Sequence, residues 1–305
     1  MSPAVRAADP RFAAGAALID GELTPIAEAR IPILDTGFSR SDVTYDVVAV
    51  WGGAFFRLDD HVARFQESCA KLRLELPYDG DQLKQVLTEI VQVSGLREAY
   101  VDMICTRGTS RDGSRDPRTF QNRFYAYAIP YVWILQQDDA MDAVVARTVQ
   151  RIPESSVDPT VKNFHWGDLV RGQYEAYDRG ARYAVLLDEE RNVTEGAGYN
   201  VFAVVDGQLL TPAAGVLHGV TRRTVLELAA EEGIGSAVTR ISAETFLGAS
   251  ELFATSTAGG VMPITSIDGV PVGNGRPGPV TQLLRERYWK AHEDPRYVTV
   301  VDYGG

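Results

Sequence analysis

Three two-residue hairpin turns, spread along the chain, constrain the fold more than any other feature. Asp20-Gly21 lies inside "GAALIDGELTPI", Gly52-Gly53 inside "YDVVAVWGGAFFRL", and Asp206-Gly207 between "YNVFAVV" and "QLLTP". Turns of this kind join antiparallel neighbours, because glycine readily takes the positive φ that a two-residue loop demands. Helical patterns are interleaved with the strands but follow no regular strand-helix-strand rhythm. The class this predicts is α+β, with mixed or antiparallel sheets.

Between the turns, Asp59 is a plausible N-cap for a helix over 60–72, and a second helix is predicted over 82–93, stopped by Gly95. "EAYVDMICTRG" and "RFYAYAIPYVWIL" read as strands. The polar stretch between them, "GTSRDGSRDPRTFQN", is too long for a turn and is a candidate lid or binding loop. Apolar periodicity then lapses, which predicts a first domain over 1–132, a linker over 133–140 and a second domain over 141–305. The second domain opens with the strand "AVVARTVQRI" and the helix "GDLVRGQYEAYDRG", which Gly180 would end. It closes with "TRRTVLELAAEEG", "SELFATSTAGGVMPI" and a last helix "VTQLLRERYWKAH".

The chain has 305 residues, is 45% hydrophobic and carries a formal net charge of -11, with a pI near 4.9. Nucleic acid and anionic membrane are disfavoured as partners, because the average surface would repel both. Small molecules fit better. Cys69 and Cys105 lie in apolar patterns and read as reduced core residues. Four histidines without CxxC or HExxH spacing point to no metal site. With no secretory-type apolar start and no run as long as a membrane span, a cytoplasmic location is expected.

Of the 30 basic residues only four are lysines. Lys71, Lys84 and Lys290 lie in amphipathic helical patterns, where a lysine snorkels toward water. Lys162, in "VDPTVKNFHWGD", sits instead at a strand-to-helix junction near Phe164 and Trp166. Arginine replaces lysine almost everywhere else, yet arginine can neither lose its proton nor form an imine. A lysine retained here therefore suggests amine chemistry.

Four further stretches acquire meaning if Lys162 binds an aldehyde cofactor. In "TEGAGYN", Glu195 stands among small residues that a flat ring can approach, and a carboxylate beside a pyridine nitrogen keeps that nitrogen protonated. In "GVLHGVTRRTV", Gly219, Val220 and Thr221 open a helix whose free N–H groups suit a phosphate. "ATSTAGGVMPI" offers a hydroxyl-and-amide nest at Ser256, Thr257 and Ala258, and Arg57 in "FFRLDDH" suits bidentate pairing with phosphate. Singly, each has a commoner structural explanation as a turn, a cap or an exposed charge.

In this order, "DPTVKNFHWGD", "TEGAGYN", "LHGVTRRTV" and "TSTAGGVMPI" resemble the signature of the fold-type IV pyridoxal-phosphate enzymes, the class IV aminotransferases. "DTGFSRSDVTYDVVAVWGGAFFRLDDHVARF" resembles their N-terminal block. The similarity runs from about Ala14 to the end and is nearest the (R)-selective amine transaminases and D-amino-acid transaminases. The resemblance implies a small α/β N-terminal domain, a larger pseudo-barrel C-terminal domain that binds pyridoxal 5'-phosphate, and a homodimer. It also implies Lys162 as the Schiff-base lysine, Arg57, Val220, Thr221 and Thr257 on the phosphate, Glu195 on the pyridine nitrogen, and Leu217 against the ring.

The substrate side departs from the nearest relatives, which carry a histidine where this chain has Arg40. A guanidinium there, beside Tyr45, suits a carboxylate, and a bond of that kind contributes roughly 1.5–3 kcal/mol. The loop adds Arg111 and Arg115, while "TRGTSRDGSRDP" lacks the Arg-x-His pair of better-known D-amino-acid transaminases. A clamp from Arg40 with Arg111, and Ala258 lining the pocket, would serve D-alanine-like donors and 2-oxo acids such as 2-oxoglutarate or pyruvate. Arg40 facing solvent or pairing with Asp42 is the ordinary reading. Alternatives are an (R)-amine:pyruvate transaminase, a branched-chain L-amino-acid transaminase, an aminodeoxychorismate lyase and a non-catalytic binding protein.

Overall fold

The structure, a computed structural model, describes residues 9–304. The chain forms two compact units. Of the described residues, the first takes in those up to Val132, the short segment Val161–Phe164 and those from His292 to Gly304; the second comprises Trp133–Thr160 and His165–Ala291. The chain thus returns twice to the first unit, which a single linker over 133–140 does not provide for. Both returns rest on long-range pairing, which local patterns do not report.

In the first unit come β1 (Ala16–Ile19), β2 (Glu22–Pro25), α1 (Thr36–Arg40), β3 (Val43–Trp51), β4 (Ala54–Phe56), α2 (Leu58–Lys71), α3 (Gly80–Ser94), β5 (Ala99–Ser110) and β6 (Phe120–Pro130). The second holds β7 (Met141–Val145), α4 (Gly167–Asp178), β8 (Tyr183–Val185), β9 (Glu195–Gly196), β10 (Tyr199–Val205), β11 (Gln208–Pro212), α5 (Val220–Glu231), β12 (Ser236–Thr239), α6 (Ala243–Leu247), β13 (Glu251–Ser256), β14 (Gly260–Ile267), β15 (Val270–Pro271) and α7 (Pro279–Lys290). A last strand, β16 (Val298–Val300), belongs to the first unit.

The first sheet runs β16-β4-β3-β5-β6-β1-β2 and is antiparallel throughout. Side chains alternate across a strand, so β3, β5 and β6 each present two different faces. One face carries Val48, Val50, Val101, Met103, Cys105, Phe124 and Ala126, which pack with Phe65, Leu83, Leu87 and Ile90 of α2 and α3 into one core. Cys69 and Cys105 lie buried in that core as free thiols. α3 is held at its start by a reciprocal capping box between Asp79 and Gln82, and at its end by Gly95 in the left-handed region.

The second sheet is mixed, in the order β12-β11-β10-β13-β14-β7-β8, with β9 on β10 and β15 on β14. The β11–β12, β14–β7 and β7–β8 pairs are parallel. α+β architecture with two sheets is therefore what this chain forms.

Several local expectations shift. α2 starts at Leu58 with Arg57 at its N-cap, so Asp59 lies in the first turn, where an acid still favours the helix dipole. β5 and β6 run into the expected loop as far as Ser110 and from Phe120, because the pairs Thr109↔Gln121 and Ser110↔Phe120 continue the ladder past a register shift. β6 ends at Pro130, short of "YVWIL".

On the helix-facing side of β3, Asp46 is fully buried and pairs with His61 Nδ1 at 2.8 Å and Arg64 Nε at 2.6 Å. Burial pushes this carboxyl up, but Arg64 and His61 overcome that and hold it well below the usual carboxylate range. A carboxylate depressed in the fold lends stability that is full above its unfolded pKa of ~3.9 and is lost as pH falls through the folded value. Asp46→Ala leaves the buried His61 and the partly buried Arg64 guanidinium without their shared acceptor and is expected to destabilise the protein by about 3–5 kcal/mol in guanidinium denaturation at pH 7, an effect that shrinks in strong acid.

Candidate active site

Lys162 is tied to the first sheet by its own main chain. Its carbonyl accepts from Thr44 Oγ1 at 2.7 Å and from the Tyr45 N–H at 3.1 Å, and Asn163 bridges to Thr44. The segment is thereby laid against β3, and the Lys162 Nζ comes to rest 4.4 Å from the centroid of the Tyr45 ring. An aromatic face of this kind attracts an ammonium by roughly 0.5–2 kcal/mol. Phe164 flanks the same ring at 4.8 Å between centroids, whereas Trp166 stands at the start of α4 in the second unit.

Register places Tyr45, Ile104 and Tyr125 in one row across β3, β5 and β6, and Val47, Asp102 and Tyr127 in the next. Ala49, Tyr100 and Ile129 make a third. All nine project from the face opposite α2 and α3, since directly paired residues share a side. Asp102 is the one carboxyl in this grid. It is 3% exposed; Oδ2 accepts from the Tyr127 hydroxyl at 3.0 Å, while Oδ1 has no hydrogen-bond partner among the described residues. Burial drives its pKa up to about 8, against the Tyr127 bond and the charge of Lys162, which both lower it.

In the second unit Glu195 is buried, and both its oxygens are held. Oε1 accepts from Arg151 Nη2 at 3.0 Å; Oε2 accepts from the Leu217 N–H at 2.9 Å and from Asn200 Nδ2 at 3.3 Å. Arg151 turns its other arm to Asp168 at 2.7 Å. Burial works to lower the Arg151 pKa, but Glu195 and Asp168 together raise it above the ordinary value. Gly196 is needed beside Glu195, because a Cβ there would meet the Tyr199 ring at 2.2 Å.

α5 begins close by, tied in through Asn200, whose Nδ2 also donates to the Leu217 carbonyl at 2.9 Å. Its N-cap, Gly219, offers no side-chain cap, and a Cβ at Gly219 would strike Asn200 Oδ1 at 2.2 Å. The first N–H groups of the helix, at the buried Val220 and Thr221, lack an intrahelical acceptor by geometry and point out of the helix start. In the turn after β13, Ser256 Oγ donates to the Gly198 carbonyl at 2.8 Å and accepts the Ala258 N–H at 3.2 Å; Thr257 lies between them.

The expected residues thus fall into two groups. Lys162, Tyr45, Arg57, Arg40 and Arg111 belong to the first unit, and Glu195, Leu217, Val220, Thr221, Thr257 and Ala258 to the second. Arg57 takes a left-handed φ of 56° at the β4–α2 junction; it pairs with Asp60 and lies over the Tyr297 ring. Arg40, Arg111 and Arg115 are exposed. Asp42 is engaged by Arg107 rather than by Arg40. Sequence reasoning did not single out Asp102, Tyr100, Tyr127, Arg151, Asp168 or Asn200. Asn200 lay inside a quoted motif, and Asp102 broke an apolar strand, the one local signal that pointed to it.

The chain matches the family model for amino-transferase class IV over residues 44–267 and belongs to that family. Enzymes of this class use pyridoxal phosphate. It is 29% identical to the D-alanine aminotransferase of Bacillus licheniformis over 270 residues, 88% of this chain and 94% of that protein. It is equally 29% identical to the branched-chain-amino-acid aminotransferase of Pseudomonas aeruginosa over 280 residues, 88% and 90% of the two chains. Its fold matches the branched-chain aminotransferase of the thermophilic archaeon Thermoproteus uzoniensis, solved with norvaline, at a TM-score of 0.87 and 28% identity, covering 94% of this chain and 99% of that one. This protein is therefore a pyridoxal-phosphate-dependent aminotransferase, acting on amino donors and 2-oxo acids.

Among the described residues, Arg151 is the cation paired with both Asp168 and Glu195 in this buried set. Arg151→Met is expected to cost about 3–5 kcal/mol of stability at pH 7, because two buried carboxylates lose their counter-charge. Guanidinium denaturation of the variant beside the native protein at pH 7 measures the deficit.

Proposed function

We propose that this aminotransferase moves the amino group of D-alanine-like D-amino acids to 2-oxo acids such as 2-oxoglutarate or pyruvate. The observation that carries the reading is the Lys162 amine, set on the Tyr45 ring by a main chain bonded to β3. When bound, pyridoxal phosphate supplies an aldehyde and an electron-poor ring that acidify the donor C–H bond. The residues fit such a group. Lys162 is its point of attachment and, once freed, the base that moves the proton at the donor Cα. Glu195, oriented by Arg151, Asn200 and the Leu217 N–H, holds the proton at the pyridine nitrogen, and Leu217 packs on the ring. The open N–H groups of Val220 and Thr221, with Thr257 and Arg57, bind the phosphate.

Arg40 is the proposed carboxylate ligand, with Arg111 as its partner in the loop and Ala258 and Tyr45 lining the pocket. In support, Arg40 is exposed and Asp42 is occupied by Arg107, which leaves the Arg40 guanidinium available for a substrate. A homodimer in the cytoplasm completes the proposal. Ile33, Leu34 and Phe38 are 73%, 77% and 63% exposed, an apolar group that suits burial against a second copy, and both cysteines are free, which suits a reducing compartment.

A second reading, an (R)-amine:pyruvate transaminase, draws support from the sheet face that carries Tyr45. That grid holds tyrosines and Asp102 but no arginine, so nothing in it calls for a donor carboxylate. A donor survey with an added 2-oxo acid, across D-amino acids, L-amino acids and (R)-1-phenylethylamine, separates the readings. Arg40→Ala is expected to reduce kcat/KM for D-alanine by about tenfold or more, the worth of one charge-assisted bond, and to spare (R)-1-phenylethylamine. Equal losses on both donors would refute the carboxylate role. Lys162→Ala should abolish transamination together with the visible absorbance band that borohydride removes from the native protein.

A further inference from the structure

Asp102 is a buried carboxyl that the reaction as described leaves without a task. One oxygen is satisfied by Tyr127 and the other has no hydrogen-bond partner among the described residues, although the group is 3% exposed. Leaving a buried acceptor unpaired costs about 1–3 kcal/mol, more if it is charged, so such a group needs an explanation. Asp102 shares its face with Tyr45, one register row away, and the Lys162 amine rests on the Tyr45 ring.

We propose that Asp102 is a positioning residue that acts through Lys162, its carboxylate serving as the counter-charge of the lysine nitrogen in the buried face of the first sheet. The idea rests on Lys162 being the lysine that bonds the cofactor. While the nitrogen is cationic the ionised Asp102 compensates it, so the cation gives up its proton to solvent only at a higher pH than it would without that carboxylate.

The surroundings suit this pairing. Tyr127 from β6 and Tyr100 on β5 stay protonated, since burial and the neighbouring Asp102 raise both phenols far above neutral pH. Tyr45 on β3 contributes its ring to Lys162. Asp102 also feels Asp46 through the sheet, but the charge of Asp46 is already matched by Arg64 and His61 on the other face. Lys162 is the cation whose charge lowers the Asp102 pKa. The charge balance therefore lies between these two groups.

The test is a pH titration of the visible absorbance band of the holoenzyme, which follows protonation of the Lys162 nitrogen in its double bond to the cofactor. Removing a nearby negative charge disfavours the cation, so Asp102→Asn should lower the midpoint by about one pH unit or more. Asp102→Glu, which keeps the charge, should restore it to within about half a unit. Tyr127→Phe, which removes only the bond that favours the ionised carboxyl, should shift the midpoint the same way by a smaller amount. That variant keeps the test open if Asp102→Asn does not fold. Midpoints unchanged in Asp102→Asn, or in Tyr127→Phe where the first is not obtained, would overturn the proposal. A band that survives in Lys162→Ala would instead overturn the attachment role on which it rests.

Discussion

Two hydrogen bonds to one carbonyl oxygen hold the chemistry of this protein in place. The Lys162 carbonyl accepts from the Thr44 hydroxyl and from the Tyr45 N–H, so a four-residue segment from far along the sequence becomes part of the first unit. A lysine side chain has four rotatable bonds and a large entropy to lose when ordered. Fixing its backbone on a rigid strand removes most of the positional freedom of the amine. The aromatic ring one residue along β3 then receives it. Without that pairing the same lysine would sweep through solvent.

Buried charge is matched group by group around this framework. Asp46 is neutralised by His61 and Arg64, and Glu195 shares Arg151 with Asp168. In each case a side chain that would be costly alone has a partner at hydrogen-bond distance, which is the condition under which ions persist in a protein interior. Asp102 differs, because Tyr127 satisfies only half of it. A residue left in that state draws attention to the group whose charge it feels, which is Lys162.

Much of the site was legible because the relevant residue types are scarce or odd in place. Lys162 stood out among four lysines, and Glu195 as a carboxylate between small residues. Arg151 and Asp168 were not legible. An arginine within a strand pattern and an aspartate at a helix start both have ordinary local explanations, and only the fold pairs them with each other and sets the arginine on Glu195. Tyr100 and Tyr127 read simply as strand residues. Their alignment with Asp102 is a matter of register between β5 and β6, to which no local window has access.

What the sequence by itself determined is what depends on neighbours a few residues apart: the hairpins at Asp20-Gly21, Gly52-Gly53 and Asp206-Gly207, the α+β class, and the motifs that identify the family. Glycine turns and period-two alternation act over such short spans that the chain specifies them directly. Tertiary structure alone decided that Val161–Phe164 and β16 join the first unit, that α2 starts at an arginine in the left-handed region, and that Asp102 faces the side carrying Lys162. Those outcomes hang on hydrogen bonds and packing between residues far apart in the chain, or on a backbone strain that only the surrounding fold offsets.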